Sequence, residues 1–453
     1  MVVEDRVMET HFLVDREGLA KLIGKRPKGF VVLELLQNAW DEKIRTVSLN
    51  LSYKDGCALV IVQDDCPNGF ADLSHAYTLF AESHKKTDPT KRGRFNIGEK
   101  LVIAICEHAE IMTTKGTVRF STQGREHSDS HTKSGTVFSG TFKMDEADFV
   151  MMMVAARQVI PPVGIVTLIN GERLPTRKPL CTFETPLQTE VAGDDGYLRR
   201  LWRKTTIEVY PTLDDVEMPQ LYEMGIPVVG TGDTWHVNIM QKVPLNVDRD
   251  NVTPAFLKRV RTMVLNHMAD RLDEEESTAA WVNEGLSDSN VDPLAVVQVI
   301  EQRFGSKRVI TDPSDPEATK RAMAAGYTVI PARAFSAVQW QQIRKAEAAL
   351  PAGQVTPTPK PFGADGEPLQ TVPRDEWPEG VLEGVERLEK LAAELVGGVV
   401  VHIIRDIHFQ FAAACGPDRK LYINITNVGW GFLKKIGEPQ LALLIHELAH
   451  IRV

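Results

Sequence analysis

Cysteine is scarce and has no partner at motif spacing. Five residues (Cys57, Cys66, Cys106, Cys181 and Cys415) are scattered through 453, with no CxxC pair. That excludes a disulfide framework and fits a reducing compartment. No stretch approaches the roughly 20 apolar residues that a membrane span needs, and the N-terminus lacks a signal-peptide pattern. The expected location is therefore the cytoplasm, which would be a host's cytoplasm if the source were a phage. Basic residues do not dominate: 52 Lys and Arg stand against 61 Asp and Glu, a formal net charge of −9. Generic polyanion binding by the whole surface is thereby disfavoured, and DNA is not indicated. There is no internal repeat. What remains is ordinary for a soluble globular protein, 43% hydrophobic and 25% charged, and long enough for more than one domain.

The stretch Phe30 to Glu42 (FVVLELLQNAWDE) carries Val31, Val32, Leu35, Leu36 and Ala39 at helical spacing. Glu34, Asn38 and Asp41 fall on one helical face, at i, i+4 and i+7. A carboxylate and an amide one turn apart on an otherwise apolar helix are costly to bury without partners. After a strand over Thr46 to Tyr53, Asp55-Gly56 signals a hairpin turn. The returning strand, to Gln63, ends in DDCPNGF (Asp64 to Phe70). A polar, basic loop follows (Ser83 to Arg94), then GRFNIGEK (Gly93 to Lys100), which opens an apolar helix. Glycines let a backbone approach phosphates, and a helix N-terminus offers free N–H groups and a favourable dipole. A further strand starts at Ser134-Gly135-Thr136.

This series resembles, in the order and spacing of four motifs, the nucleotide-binding domain of the GHKL ATPases (gyrase B, Hsp90-type chaperones, sensor histidine kinases and MutL). The resemblance covers roughly residues 1–180. It implies a mixed α/β chain opening with a Bergerat-type ATPase sandwich, and it implies ATP and Mg²⁺ as ligands. Glu34 would be the general base that orients and deprotonates water, and Asn38 the Mg²⁺ ligand, an amide oxygen suiting that hard ion. Asp41 would support the nucleotide end or the helix packing. Asp65 would accept from the adenine amino group, with Asp64 as the alternative, and Gly69 would close the loop. The family's D-x-G-x-G is broken here by Pro67, which stiffens the loop and removes an N–H. That departure keeps open a scaffold that senses nucleotide without turning it over. Gly93, Phe95 and Gly98 would lie along the phosphates, with Lys100 reaching phosphate or solvent, and Thr136 would bond the adenine side. Residues 83–94 would be the ATP lid.

Residues 181–275 resemble the Hsp90 middle, or transducer, domain. Strands are expected at Thr205 to Tyr210 and His236 to Gln241. The string KVPLNVDRD (Lys242 to Asp250) would bring Arg249 to the γ-phosphate; a guanidinium binds phosphate oxygens bidentately and does not titrate away. The resemblance also implies a nucleotide-dependent switch, with a homodimer as one form of it and an unidentified client or partner. No dimerising hairpin with a phosphoacceptor His supports a kinase, and no nuclease or DNA-cleaving domain supports a MutL or topoisomerase role. The architecture is also loosely similar to phage rIIA-type proteins.

Residues 276–350 read as a small alternating α/β unit without a chemical motif, and 351–380, rich in Pro and Gly, as an extended linker. Residues 381–453 give a helix, three strands (Val399 to Ile404, Phe409 to Cys415, Leu421 to Ile425) and a last helix with HELAH. His446 and His450 on one helical face can share a Zn²⁺, with Glu447 activating a water. Strands before such a helix resemble the zincin metallopeptidases, so the alternative function is a zinc metallopeptidase with a regulatory ATPase region. A third ligand would come from His402, Asp406 or His408, or from beyond Val453 if the sequence is truncated there.

Overall fold

The computed structural model describes residues 14–449 except 71, 82–83, 95, 194, 196, 215, 247–250, 314, 357–368, 408, 410 and 417–418. A short strand over Glu9 to Val14, which the sequence pattern also predicts, has residues 9–13 outside the described residues. Two compact units divide the chain, residues 1–267 and 268–453, and both mix helices with sheets, the α/β class that was expected.

The first unit opens with an eight-stranded sheet. Its strands are β1 (Thr46–Lys54), β2 (Cys57–Asp64), β3 (His108–Thr113), β4 (Gly116–Ser121), β5 (Gly124–Ser128), β6 (Val137–Lys143), β7 (Val166–Ile169) and β8 (Glu172–Arg173), in the order β5-β4-β3-β6-β2-β1-β7-β8. The first hairpin turns at Asp55 and Gly56, both at positive φ (51° and 80°), the conformation that an Asp-Gly pair favours. Alternation along β1 buries Val47, Leu49 and Leu51 and leaves Asn50 and Ser52 outside. Helices α1 (Arg16–Ile23), α2 (Gly29–Trp40), α3 (Gly98–Ile105) and α4 (Glu146–Gln158) accompany this sheet. The apolar stripe of α2 (Val31, Val32, Leu35, Leu36 and Ala39) meets Val47, Leu49, Val60, Phe142 and Met152 in one core. An added Cβ on Gly29 would stand 2.7 Å from Ala155 Cβ, so glycine sets the close approach of α2 to α4. The sequence of α4 offers Met151, Met152 and Met153 as core filler, and of these only Met152 is fully buried; Met151 is 57% exposed. Neighbours on a helix point about 100° apart, so consecutive residues cannot all face one core.

The same unit holds a five-stranded sheet of β9 (Cys181–Ala192), β10 (Leu198–Tyr210), β11 (Gln220–Glu223), β12 (Ile226–Gly230) and β13 (His236–Ile239), ordered β12-β11-β13-β10-β9. Helix α5 (Pro254–Met268) follows. The two strands expected here are part of a larger sheet than the sequence suggested.

In the second unit, strands Thr328–Ile330, Arg308–Ile310 and Leu350–Pro351 form a parallel sheet, connected by helices Pro316–Ala324 and Ala337–Lys345. The alternation expected for 276–350 is present. The segment expected as linker begins instead with that third strand and a short helix, Ala352–Val355, whose Ala352 is fully buried against Val309 and Ala318. A second sheet pairs Val400–Ile404 with Lys420–Asn424, and that strand with Ala413–Cys415 at the edge. Helices Val381–Val396 and Glu438–Ala449 pack on it through Val385, Leu388, Leu444 and Leu448. Among the described residues no helix is long and apolar enough to cross a membrane.

Candidate functional site

The polar face of α2 is where the sequence motifs converge. Glu34 is half-buried and accepts a hydrogen bond from Gln37 Nε2. Its carboxylate lies against Gly98, the first residue of α3, so closely that a Cβ there would collide with it. The N-cap of α3, Ile97, supplies no side-chain cap hydrogen bond, and this is the helix end whose N–H groups and dipole favour an anion. One turn along α2, the half-buried Asn38 amide makes no hydrogen bond among the described residues.

Asp41 stands at the end of α2 with a fully buried side chain. It accepts from the backbone N–H of Arg92 (3.0 Å) and Gly93 (2.8 Å), and from the Arg92 guanidinium at 3.1 Å. Arg92 also lies over the Trp40 ring, 5.2 Å from its centroid. Asp41 therefore holds the backbone after the 84–91 loop. Lys85, in that loop, pairs with Glu42 at 2.6 Å. Lys100, buried in the first turn of α3, bonds Asn96 Oδ1 at 3.0 Å and lies 3.6 Å from Glu99. Burial lowers Lys100 and raises Glu99 from their ordinary values.

At the end of β2 the two adjacent aspartates go separate ways. Asp65 is exposed, and its Oδ1 accepts the N–H groups of Arg45 (2.8 Å) and Thr46 (3.1 Å). Asp64 turns inward, and its Oδ1 accepts from Cys66 N (2.8 Å) and Thr136 N (3.2 Å). Burial first, then the charges of Glu42 and Asp65, raise its carboxyl above the usual range, against the two N–H donors. Gly135, at φ 76°, packs against the Asp64 carbonyl where a Cβ would clash. So Thr136 is brought to Asp64, and Asp65 is committed elsewhere. Gly69 closes the Cys66–Gly69 turn at φ 53°, against Thr114, so Pro67 is accommodated within a turn. Phe95 and Arg249 lie outside the described residues.

Four buried groups went unnoticed in the sequence: Arg92, Arg94, Glu223 and Lys242. Arg92 and Arg94 reach the five-stranded sheet: Arg92 Nε donates to Met224 O (3.0 Å), and Arg94 bonds Glu223 and Val243 O (2.8 Å). Lys242 is 1% exposed. The only signal available was the basic run Lys91 to Arg94, which reads as solvated because its partners stand more than 125 residues away.

In the second unit, Glu447 is turned into the fold. It accepts from Cys415 N at 3.1 Å, and burial, helped by Asp315 and Asp312, raises it to about 8. His402 stacks on Tyr422, and Asp406 accepts from Phe409 N. His446 is half-buried, and His408 and His450 lie outside the described residues. Among the described residues, which leave out His408 and His450, no group of three His, Cys, Asp or Glu is placed to hold a metal ion.

No family model and no curated protein matches this chain. Among solved structures, the ATPase region of Saccharomyces cerevisiae topoisomerase II is similar at a TM-score of 0.29 and 16% identity, over 44% of this chain. The chain spans 61% of the length of that solved chain. A likeness at that level carries no argument about function.

Proposed function

We propose that the first unit binds Mg-ATP and hydrolyses it, with residues 84–94 as a lid. The observation that carries this reading is the meeting of Glu34 with Gly98 at the uncapped start of α3, one helical turn from the Asn38 amide. A carboxylate, a hard amide oxygen and a helix N-terminus are three groups that serve phosphoryl transfer to water.

In this reading the α3 N–H groups hold the phosphates, and the Asn38 oxygen is the protein's ligand for Mg²⁺, which neutralises phosphate charge when bound. Glu34 orients the attacking water and takes its proton. Adenine recognition falls to Asp64: its Oδ1 is held by two backbone N–H groups, and its Oδ2 makes no hydrogen bond among the described residues. Asp41 acts through the loop it anchors. The Glu42 charge that reaches Asp64, and the Lys85 ammonium it pairs with, join the base end of the site to the lid.

The test is ATP hydrolysis by the full chain with Mg²⁺, beside Glu34→Ala. Turnover by the wild type, with Glu34→Ala binding ATP but not hydrolysing it, supports both the site and the base. Absence of nucleotide binding by the wild type refutes the proposal; binding without turnover in both leaves the site and removes the hydrolysis.

A further inference from the structure

Lys242 has no part in the chemistry just described, and its burial needs an explanation. It follows β13, and its carbonyl accepts from Thr189 Oγ1 of β9 at 2.8 Å. Its own N–H donates to Pro89 O at 2.9 Å. Its ammonium donates to the carbonyls of Lys85, Lys86 (3.3 Å) and Asp88 (2.9 Å). An ammonium has three donors, and all three are engaged by one short loop. Two of the acceptors belong to the 3-10 turn His84–Lys86, where chain geometry leaves carbonyls without intrahelical partners. The five-stranded sheet thus provides the cap for a turn in the first sheet's lid segment.

The neighbours of Lys242 are fixed as firmly. Glu223 accepts from Val243 N at 2.7 Å and from Arg94, while Arg94 also donates to Val243 O. Arg92 binds Asp41 on one side and Met224 O on the other. One continuous set of buried hydrogen bonds therefore runs from the end of α2, through residues 85–94, into the end of β13.

We propose that Lys242 is the positioning residue that ties the 84–90 loop to the five-stranded sheet, and that release of this tie sets the rate at which nucleotide leaves. The second clause rests on the lid reading above; the first stands without it. The loop cannot lift while the ammonium keeps its three carbonyls, and the sheet cannot shift while Arg94 and Glu223 hold its strand end. Movement of either body is felt by the other through this side chain, beside the Arg92 and Arg94 contacts.

Two measurements test it on the full chain. In hydrogen exchange without nucleotide, Lys242→Met is expected to speed the backbone amides of Thr90, Lys91 and position 242 at least about tenfold, while the β1–β2 ladder stays protected. Unchanged exchange at those amides overturns the tie. The wild type provides the second measurement, independent of any variant's folding. Burial, then the Arg94 charge, set Lys242 down to about 8, against the opposing charges of Glu223, Asp41 and Asp88. Release returns the amine to the ordinary lysine range, so the tied form binds the proton more weakly. Loop protection, corrected for intrinsic rate, is therefore expected to rise from pH 7 to 9.5, because a neutral amine keeps two of the three donors, giving up the long Lys86 contact, and relieves the cost of a buried charge. A profile that is flat or falls overturns the tie. For the gating clause, a fluorescent ATP analogue is expected to dissociate at least about fivefold faster from Lys242→Met; an unchanged rate with a loosened loop overturns gating alone. Failure of any nucleotide to bind would instead refute the ATP reading and leave the exchange result standing.

Discussion

Replacing Asp64 by Asn separates two aspartates that stand side by side and do different work. The substitution keeps an oxygen where Cys66 N and Thr136 N need an acceptor, and it removes the charge that would receive the adenine amino group. A hydrogen bond to a charged group contributes about 1.5–3 kcal/mol. At about 1.4 kcal/mol per decade, Asp64→Asn should weaken ATP about 12- to 150-fold. Asp65→Asn, whose target is the exposed start of β1, should change ATP affinity less than about threefold. Stability should move the other way. The folded Asp64 carboxyl is raised, so the folded chain holds that proton more tightly than the unfolded chain does. Ionisation then costs stability as pH rises between the two values, and the whole cost is present above the higher one. The amide never ionises, so Asp64→Asn should melt no lower than wild type at about pH 7.5 while losing nucleotide. Titration calorimetry with ATP, beside thermal melts of both variants, gives the answer. A binding loss in Asp65→Asn with none in Asp64→Asn would refute the reasoning.

Gly98→Ala places a methyl in the Glu34 carboxylate and should abolish turnover; in the Glu34→Ala background the same change should have little further effect on ATP affinity, which a double-mutant cycle would read. Asp41→Asn removes the charge opposite the buried Arg92 and should lower stability by about 3–5 kcal/mol in urea unfolding. Leu36→Ala, at a fully buried position of α2, should cost about 2–5 kcal/mol by the same assay. Glu447 is raised to about 8, above its unfolded range, so unfolding of the second unit should become easier as pH climbs from about 5 to about 8 and level off beyond. Glu447→Gln should flatten that dependence, as urea midpoints at about pH 5, 7 and 9 would reveal.

What the sequence made legible was what local pattern controls. The stripe of α2, the Asp-Gly turn after β1 and the alternation of the small α/β unit all depend on residues within one or two turns of each other. Which of Asp64 and Asp65 turns inward was not legible, because adjacent side chains at a strand end point to opposite sides and a one-residue choice decides it. How the chain accommodates Pro67 was not legible either: the turn it occupies is closed by the Gly69 N–H on the Cys66 carbonyl. The start of the segment read as a linker departs from that reading for a related reason. Pro351 and Gly353 suggest extension by composition, yet Ala352 is drawn into a core by Val309, Ala318 and Ala322, far upstream in the chain.

The buried charges between the two sheets of the first unit were the least legible and the most consequential. Arg92, Arg94, Lys242, Asp41 and Glu223 are all at most 5% exposed. Such groups are a poor source of net stability, since desolvation offsets most of their attraction, and an apolar seam of equal volume would hold as well or better. They differ from an apolar seam in how they respond to displacement. Apolar surfaces slide at small cost, whereas separating one partner here strands a buried charge or a set of carbonyls at about 3–5 kcal/mol. Intermediate positions are therefore penalised, so displacement would favour one of two arrangements: engaged, or released with the charges returned to water. If residues 84–94 are the lid of the proposed ATP site, a contact of that kind would make it move as a switch rather than as a loose flap, the behaviour that a nucleotide-driven cycle would require of it.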